Sequence, residues 1–333
     1  MLTKTHKRII LIIFDIFISA YIWDVNASWG NTFETCLILS TTTFLIIYTP
    51  FEIYWSFRDI YLDRWAPIKF KNIKTSKIKI EVGKSRKGKN RYFVGFLISL
   101  YDNEIVESKS SLLVICHGFS DSKETLQYYY IPLALQGHTI LVYDARGTGE
   151  SKRVGKRSQF LKRIDDFKKV IEWIKKEDQL KNYDVSSIGF SIGAITVLCG
   201  GFSDDYIKKI IAISAMSNYK QNLPKYNPII MLSYLLKGVK IFPSKVENDK
   251  LSPYSIIEYS KQSLSEDVWR NFSKRVFLIH AKNDKIINFK NFQENVRLLN
   301  LSEQNTLVLN SGGHTQKKNE LLLVAASIKF LSS

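Results

Sequence analysis

Residues 185–194 read VSSIGFSIGA. Val185 to Phe190 make a short, largely apolar run, too brief for a helix and suited to a strand covered on both faces. Ile192 to Gly201 then carry a helical pattern. Between the two stands Gly189-Phe190-Ser191-Ile192-Gly193, a Gly-x-Ser-x-Gly pentapeptide at a strand-to-helix junction. A serine there sits on a sharp, strained turn with its oxygen exposed, and small residues two before and two after let the turn close. The pentapeptide alone carries little weight, because glycine and serine are common; the flanking strand and helix give it content. The plainer alternative is an ordinary βα turn with a capping serine.

Similar short apolar runs recur on both sides: SLLVIC at 111–116, TILVYD at 139–144, KIIAIS at 209–214, RVFLIH at 275–280 and NTLVLN at 305–310. Helical patterns separate them at 125–136, 160–176, 192–201, 289–299 and 320–331. Upstream, residues 69–82 and 90–101 alternate polar with apolar and predict two antiparallel strands. Strands alternating with helices predict an α/β fold built on a mostly parallel sheet. The alternation breaks once. About 217–270 hold Pro224, Pro228, Pro243 and Pro253 and one apolar helix-like stretch, IIMLSYLLKGVKIF at 229–242. A structureless loop of that length is improbable in a compact domain, so an inserted helical lid is expected.

Parallel sheets place ligands at the carboxyl ends of their strands. After RVFLIH comes Ala281-Lys282-Asn283-Asp284; after NTLVLN comes Ser311-Gly312-Gly313-His314. An imidazole can take a serine proton and return it to a leaving group, and a carboxylate fixes its tautomer. The chain order Ser191, Asp284, His314 therefore predicts nucleophile, orienting acid and base. The alternatives are a turn-forming Asx residue at Asp284 and a surface-loop histidine at His314. His117 is expected to be structural, and His6, His138 and His280 have no catalytic partner to argue for. Cys36, Cys116 and Cys199 lie in apolar contexts without metal-ligand spacing and read as small buried hydrophobes.

Taken together these residues resemble the α/β-hydrolase superfamily, in particular its monoacylglycerol-lipase-like and serine-aminopeptidase-like branch. The resemblance rests on His117-Gly118-Phe119, on Asp144-Ala145-Arg146-Gly147-Thr148-Gly149-Glu150-Ser151, on Gly189 to Gly193, and on Asp284 and His314. It covers about residues 70–333. It implies the α/β-hydrolase fold and an acyl-enzyme mechanism requiring neither metal nor organic cofactor. It also implies an oxyanion hole from the backbone N–H groups of Phe119 and Ile192. Asp144 and Arg146 are expected to shape their loop rather than act in catalysis. Ala281 departs from the glycine common at that position in the family.

The N-terminus lies outside the resemblance. Apolar runs at 9–23 and 36–55 predict a transmembrane helical hairpin over 1–57, the first run needing extension toward Ala27 to span. Asp15 falls within it and is expected to pack near Ser40 or Thr41. The connection DVNASWGNTFE has no Lys or Arg, whereas Lys4, Lys7 and Arg8 precede the first run. The positive-inside rule then puts both ends, and the hydrolase domain, on the cytoplasmic side. Trp23, Trp29, Tyr48, Tyr54 and Trp55 stand near the interfaces. A cleaved signal peptide over 1–27 and soluble packing helices are the alternatives.

Residues 58–91 hold twelve Lys/Arg against three Asp/Glu, about half of the net charge of +17. A basic block abutting a membrane segment predicts contact with anionic lipid through 9–55 and 58–91. No nucleic acid is expected, since neither zinc-finger spacing nor an RNA-binding aromatic motif is present. A solvated lysine-rich surface is the alternative. The expected organisation is thus hairpin anchor (1–57), basic juxtamembrane linker (58–74) and hydrolase domain (75–333). The activity expected is a serine esterase or thioesterase acting on lipid-like acyl substrates at a membrane face. A peptidase or amidase is the first alternative, with Glu247, Asp249, Glu258, Glu266 and Asp267 near the lid to hold a free amine. The second is a membrane-tethered binding module that has kept the fold but not the chemistry.

Overall fold

The computed structural model describes residues 4–57, 70–84, 88–101, 110–223 and 228–333. The chain divides into two units, Met1–Ala66 and Pro67–Ser333. Most of the expected basic linker, residues 58–69, lies outside the described residues, as do residues 85–87 of the basic turn and Pro224.

Among the described residues, the first unit holds two helices, α1 (Lys4–Ser28) and α2 (Phe33–Phe57). Arg8 near the start of α1 pairs with Glu52 near the end of α2 at 3.1 Å. Trp23 near the end of α1 meets Phe33 at the start of α2 edge-on, with centroids 5.2 Å apart. The pair is therefore an antiparallel hairpin. Arg8–Ser28 and Phe33–Trp55 are each long and apolar enough to cross a membrane. Their large side chains point outward, among them Phe14, Phe17, Ile38, Ile46 and Ile53. Asp15 is fully buried. Its carboxylate and the Ser19 and Ser40 hydroxyls have no partner among the described residues.

The second unit is built on one sheet. Its strands are β1 (Ile73–Lys84), β2 (Asn90–Leu100), β3 (Ser111–Cys116), β4 (Thr139–Tyr143), β5 (Asp184–Phe190), β6 (Ile207–Ile213), β7 (Val276–Ala281) and β8 (Thr306–Leu309). The order is β1-β2-β4-β3-β5-β6-β7-β8. β1 and β2 pair antiparallel, and β2 pairs antiparallel with β4. The other pairings are parallel. The sheet is mostly parallel, as the alternation predicts.

Both faces of the central strands are covered, so their sequences cannot alternate. In β3, Leu112 and Val114 join one core; Leu113 and Ile115 join the other. Helix α3 (Gln127–Leu135) packs Tyr129, Tyr130 and Leu133 into the second core, and α4 (Phe160–Lys176) packs Phe167, Val170, Ile171 and Ile174 into the first. Helix α5 (Ile192–Gly201) is buried at almost every position. Each such Leu, Ile or Phe contributes about 1.5–3 kcal/mol, so two covered faces hold the sheet far better than one.

Among the described residues, the region between β6 and β7 contains four α-helices: α6 (Pro228–Leu236), α7 (Lys245–Leu251), α8 (Pro253–Ser263) and α9 (Glu266–Lys274). Ile257 of α8 and Phe272 of α9 belong to the core under the sheet; these two helices form the crossover into β7. The stretch from α6 to α7 is different. It exposes Leu232, Leu235, Leu236, Phe242 and Val246. Helices α10 (Lys290–Leu299) and α11 (Glu320–Ser332) complete the domain.

Candidate active site

Chain reversal between β5 and α5 is completed at a single residue. Ser191 has φ 55° and ψ −116°, a conformation that costs a non-glycine residue of order 1–3 kcal/mol. Its neighbours explain why the turn closes. A Cβ on Gly189 would strike the Gly193 carbonyl, and one on Gly193 would strike the Cys116 carbonyl at the end of β3. Only hydrogen fits at both places. The Ser191 N–H donates to the Ile213 carbonyl at 2.9 Å, tying the turn to β6.

Asp284 follows β7. Its Oδ1 accepts the Ile286 and Ile287 N–H groups at 2.8 and 2.9 Å. Its Oδ2 lies 2.9 Å from His314 Nδ1. A carboxylate can only accept, so Nδ1 carries the proton. The other imidazole nitrogen, Nε2, is then an acceptor, and it lies 2.9 Å from Ser191 Oγ. The three residues that the sequence singled out thus form one hydrogen-bonded chain, although they are 123 and 30 positions apart. Burial pushes the Asp284 carboxyl up, but His314 and the two backbone N–H groups outweigh it and hold it below the usual carboxylate range.

The His314 loop is anchored from three sides. Asn283 Oδ1 accepts the Gly313 N–H at 2.8 Å. Gln316 Nε2 donates to Ser214 Oγ at 2.6 Å. Ser214 Oγ in turn lies 3.5 Å from the His314 carbonyl. His280 adds support that the sequence did not reveal. It is buried, donates from Nε2 to the Ile287 carbonyl at 2.9 Å, and lies 3.6 Å from Asp284 Oδ2. Phe289 and Phe292 flank its ring. Burial lowers its pKa, so it stays neutral behind the acid. The available signal was a polar residue inside an apolar strand, four positions before Asp284.

Among the described residues, neither the Phe119 nor the Ile192 N–H has a hydrogen-bond partner. The loop carrying Phe119 is fixed by His117, whose Nδ1–H donates to the Gly118 carbonyl at 2.7 Å while Nε2 accepts the Ala145 N–H at 2.9 Å. Burial pushes the His117 pKa down to about 3, leaving a neutral brace between the loops after β3 and β4. Asp144 accepts the Lys123 N–H, the Lys123 ammonium and the Glu150 N–H at 3.0, 2.8 and 2.9 Å. Arg146 grips Asp166 with two hydrogen bonds, of 2.6 and 2.5 Å. Both residues work within the loop architecture.

Apolar side chains lie beside these groups. The Phe119 ring meets Phe160 edge-on at 5.4 Å, and Phe160 meets Tyr219 at 6.1 Å. Ile192 packs with Ile195, Tyr219, Leu223 and Leu251. A cavity of about 280 Å³ opens next to them, lined by Phe160, Leu161, Tyr219 and Leu251 with Lys156 and Lys240 among its polar residues. All three cysteines are buried free thiols. Among the described residues, no three His, Cys, Asp or Glu side chains converge as a metal-ligand set.

Comparison with known proteins agrees with this architecture. Residues 107–267 match the family model described as Hydrolase_4, serine aminopeptidase, S33. That span includes the β3 loop and the serine turn and ends before Asp284 and His314. A 31.7 kDa Escherichia coli protein of the traX–finO intergenic region is 26% identical over 113 residues, 33% of this chain and 39% of that protein. Among solved structures, an esterase of Pyrococcus furiosus has a TM-score of 0.53 at 19% identity, covering 78% of this chain and 91% of that one. An acylaminoacyl peptidase of Pyrococcus horikoshii has a TM-score of 0.55 at 14% identity, covering 83% of this chain and 43% of that one. An α/β serine hydrolase without lid from Xanthomonas campestris has a TM-score of 0.50 at 14% identity, covering 80% and 96%. With a sheet of this order, a strained serine after β5 and a family-model match running through that turn, this chain has the α/β-hydrolase fold and is similar, over residues 107–267, to the serine aminopeptidase S33 family.

Proposed function

We propose that the chain hydrolyses acyl esters or thioesters of lipid-like substrates at a membrane face. Ser191 Oγ attacks the acyl carbonyl carbon while His314 Nε2 takes its proton. The carbonyl oxygen becomes an oxyanion facing the Phe119 and Ile192 N–H groups. Collapse expels the alcohol or thiol, which takes the proton back from His314. Water, deprotonated by the same imidazole, then attacks the acyl-enzyme, and the acid leaves. The observation that carries this reading is the unbroken Ser191–His314–Asp284 hydrogen-bond chain, with both links at 2.9 Å.

The lipid-like part rests on the surroundings. Phe119, Phe160, Tyr219 and Leu223 supply an apolar surface for an acyl chain beside the residue after the nucleophile. The stretch from α6 to α7 carries five exposed large apolar residues, with Lys237, Lys240 and Lys245 interspersed, a composition suited to a lipid interface. The two apolar N-terminal helices suit the same location.

An aminopeptidase reading is favoured by the description of the family model. It needs free acids near the lid, and two of the five are engaged. Glu247 caps α7 in a capping box and pairs with Lys240 at 2.7 Å. Glu266 pairs with Arg270 within α9. The ester reading needs no such acid.

Treating full-length, detergent-solubilised protein with a serine-directed fluorophosphonate tests the mechanism. The parent is expected to label and the Ser191→Ala variant to lose the label entirely. Equal labelling of both would refute the nucleophile, and labelling of neither would favour a binding module. Turnover of acyl esters of graded chain length, beside aminoacyl amides, then separates lipid from peptide substrates; preference for the amides would overturn the ester reading.

A further inference from the structure

Under the serine turn, where α4 and α5 cover the sheet, lies a second and much smaller cavity. Its volume of about 10 Å³ suits one small occupant. Cys116, His117, Tyr143, Arg163, Asp166 and Thr196 line it. Arg163, on α4, is 3% exposed. Neither its Nε nor its Nη2 has an acceptor among the described residues. An orphaned guanidinium so deeply buried is rare and costly.

The charges around it sharpen the point. Asp166 is the one carboxylate in the lining, and both of its oxygens are taken by Arg146. His117 is neutral, because burial drives its pKa down to about 3. Burial pushes the Cys116 thiol up to about 12 and the Tyr143 hydroxyl well above its usual range, so neither ionises at neutral pH. Arg157 adds further positive potential. Burial lowers the pKa of Arg163 only to about 10, so it keeps its charge. Two arginines therefore share one carboxylate, and Arg163 has no counter-charge of its own. A water could accept its hydrogen bonds but would leave the charge unbalanced; a small anion answers both needs.

We propose that this cavity binds a monatomic anion, chloride in ordinary media, held by Arg163 Nε and Nη2 beside the Tyr143 hydroxyl. Cys116 leads directly into His117-Gly118-Phe119, and Gly193 both lines the cavity and packs on the Cys116 carbonyl. The ion thus braces the two backbones whose N–H groups are left free beside Ser191.

Halide titration of the full chain in detergent tests this. With gluconate, too large for the cavity, holding ionic strength constant, Tm is expected to rise with chloride. Mass action gives about 3 °C per tenfold increase above the dissociation constant. Bromide is expected to act likewise, and an Arg163→Met variant to lose the dependence. Coincident chloride and gluconate curves for the parent would overturn the proposal. If Arg163→Met does not fold, bromide-soaked crystals of the parent decide. An anomalous peak beside Arg163 Nη2 supports the ion, and a peak at the height of a water with no anomalous signal refutes it.

Discussion

Ser191 adopts φ 55° because β5 must reverse into α5 at that position, and the two glycines that flank it at a distance of two make the reversal sterically possible. Those requirements are local, which is why the serine turn was legible in sequence. Asp284 and His314 were legible for a related reason. Each follows a short apolar strand, and parallel strands bring their carboxyl ends to one edge. The residues that aim them were not legible. His280, Asn283, Ser214 and Gln316 act through loops whose meeting depends on the finished fold. Asp284 gives a test at this scale. Its carboxyl is held below the ordinary range in the folded chain, so its contribution to stability is complete above the unfolded value of about 4 and is lost as pH falls through the depressed one. Asp284→Asn is expected to lower Tm near pH 7, with the gap to the parent closing below about pH 4. It is also expected to cut kcat by about 10⁴-fold, because the imidazole loses the partner that fixes its tautomer. Thermal melts across pH, beside turnover at pH 7, check both. A Tm gap that persists undiminished at acid pH would mean that the stabilisation is not ionic.

The strands were readable at the scale of elements because burial on both faces removes alternation, and β3 distributes Leu112 and Leu113 to opposite cores. The edge is different. Among the described residues β1 pairs on one side only, and it alternates from Lys77 to Val82, with Lys77 and Lys79 turned outward. Such lysines protect an open sheet edge from pairing with another chain, so part of the basic block has an architectural use whatever its lipid contacts. The 217–270 region was the hardest to parse. Its prolines read as interruptions, yet Pro228 and Pro253 begin helices, where a missing N–H costs nothing. Hence α8 and α9 emerge as crossover helices, and the apolar exposure concentrates between α6 and α7. Leu236 and Phe242 are 79% and 77% exposed. If this segment touches lipid during turnover, Leu236→Glu with Phe242→Glu should reduce hydrolysis of a long-chain ester in vesicles by about tenfold or more, each tenfold being about 1.4 kcal/mol. Hydrolysis of a soluble butyrate ester should stay within about twofold, a change worth less than 0.5 kcal/mol. Equal loss on both substrates would show that the segment serves the site rather than the interface.

Across the whole chain, the hairpin and the hydrolase domain pose one question, that of topology. Helices of 25 residues run about 37 Å, enough to cross a hydrocarbon core of about 30 Å. Their outward face is apolar to an extent that water does not tolerate well. Of the two acids in Arg8–Ser28, Asp15 is buried instead of facing outward and Asp24 is exposed near the connection, and the Arg8–Glu52 pair sits near the two outer helix ends, where charge is affordable. The connection carries no Lys or Arg, while Lys4, Lys7 and Arg8 precede α1 and the basic block follows α2. From those charges we propose that the connection crosses and that the hydrolase domain stays in the cytoplasm. Cysteine accessibility decides the point in intact cells. In a chain whose three native cysteines are replaced by alanine, Ser28→Cys is expected to react with a membrane-impermeant maleimide before lysis. Lys329→Cys, exposed on α11, is expected to react only after it. Labelling of Lys329→Cys in intact cells with Ser28→Cys protected would invert the orientation, and loss of an N-terminal tag from the mature chain would show instead that α1 is removed as a signal.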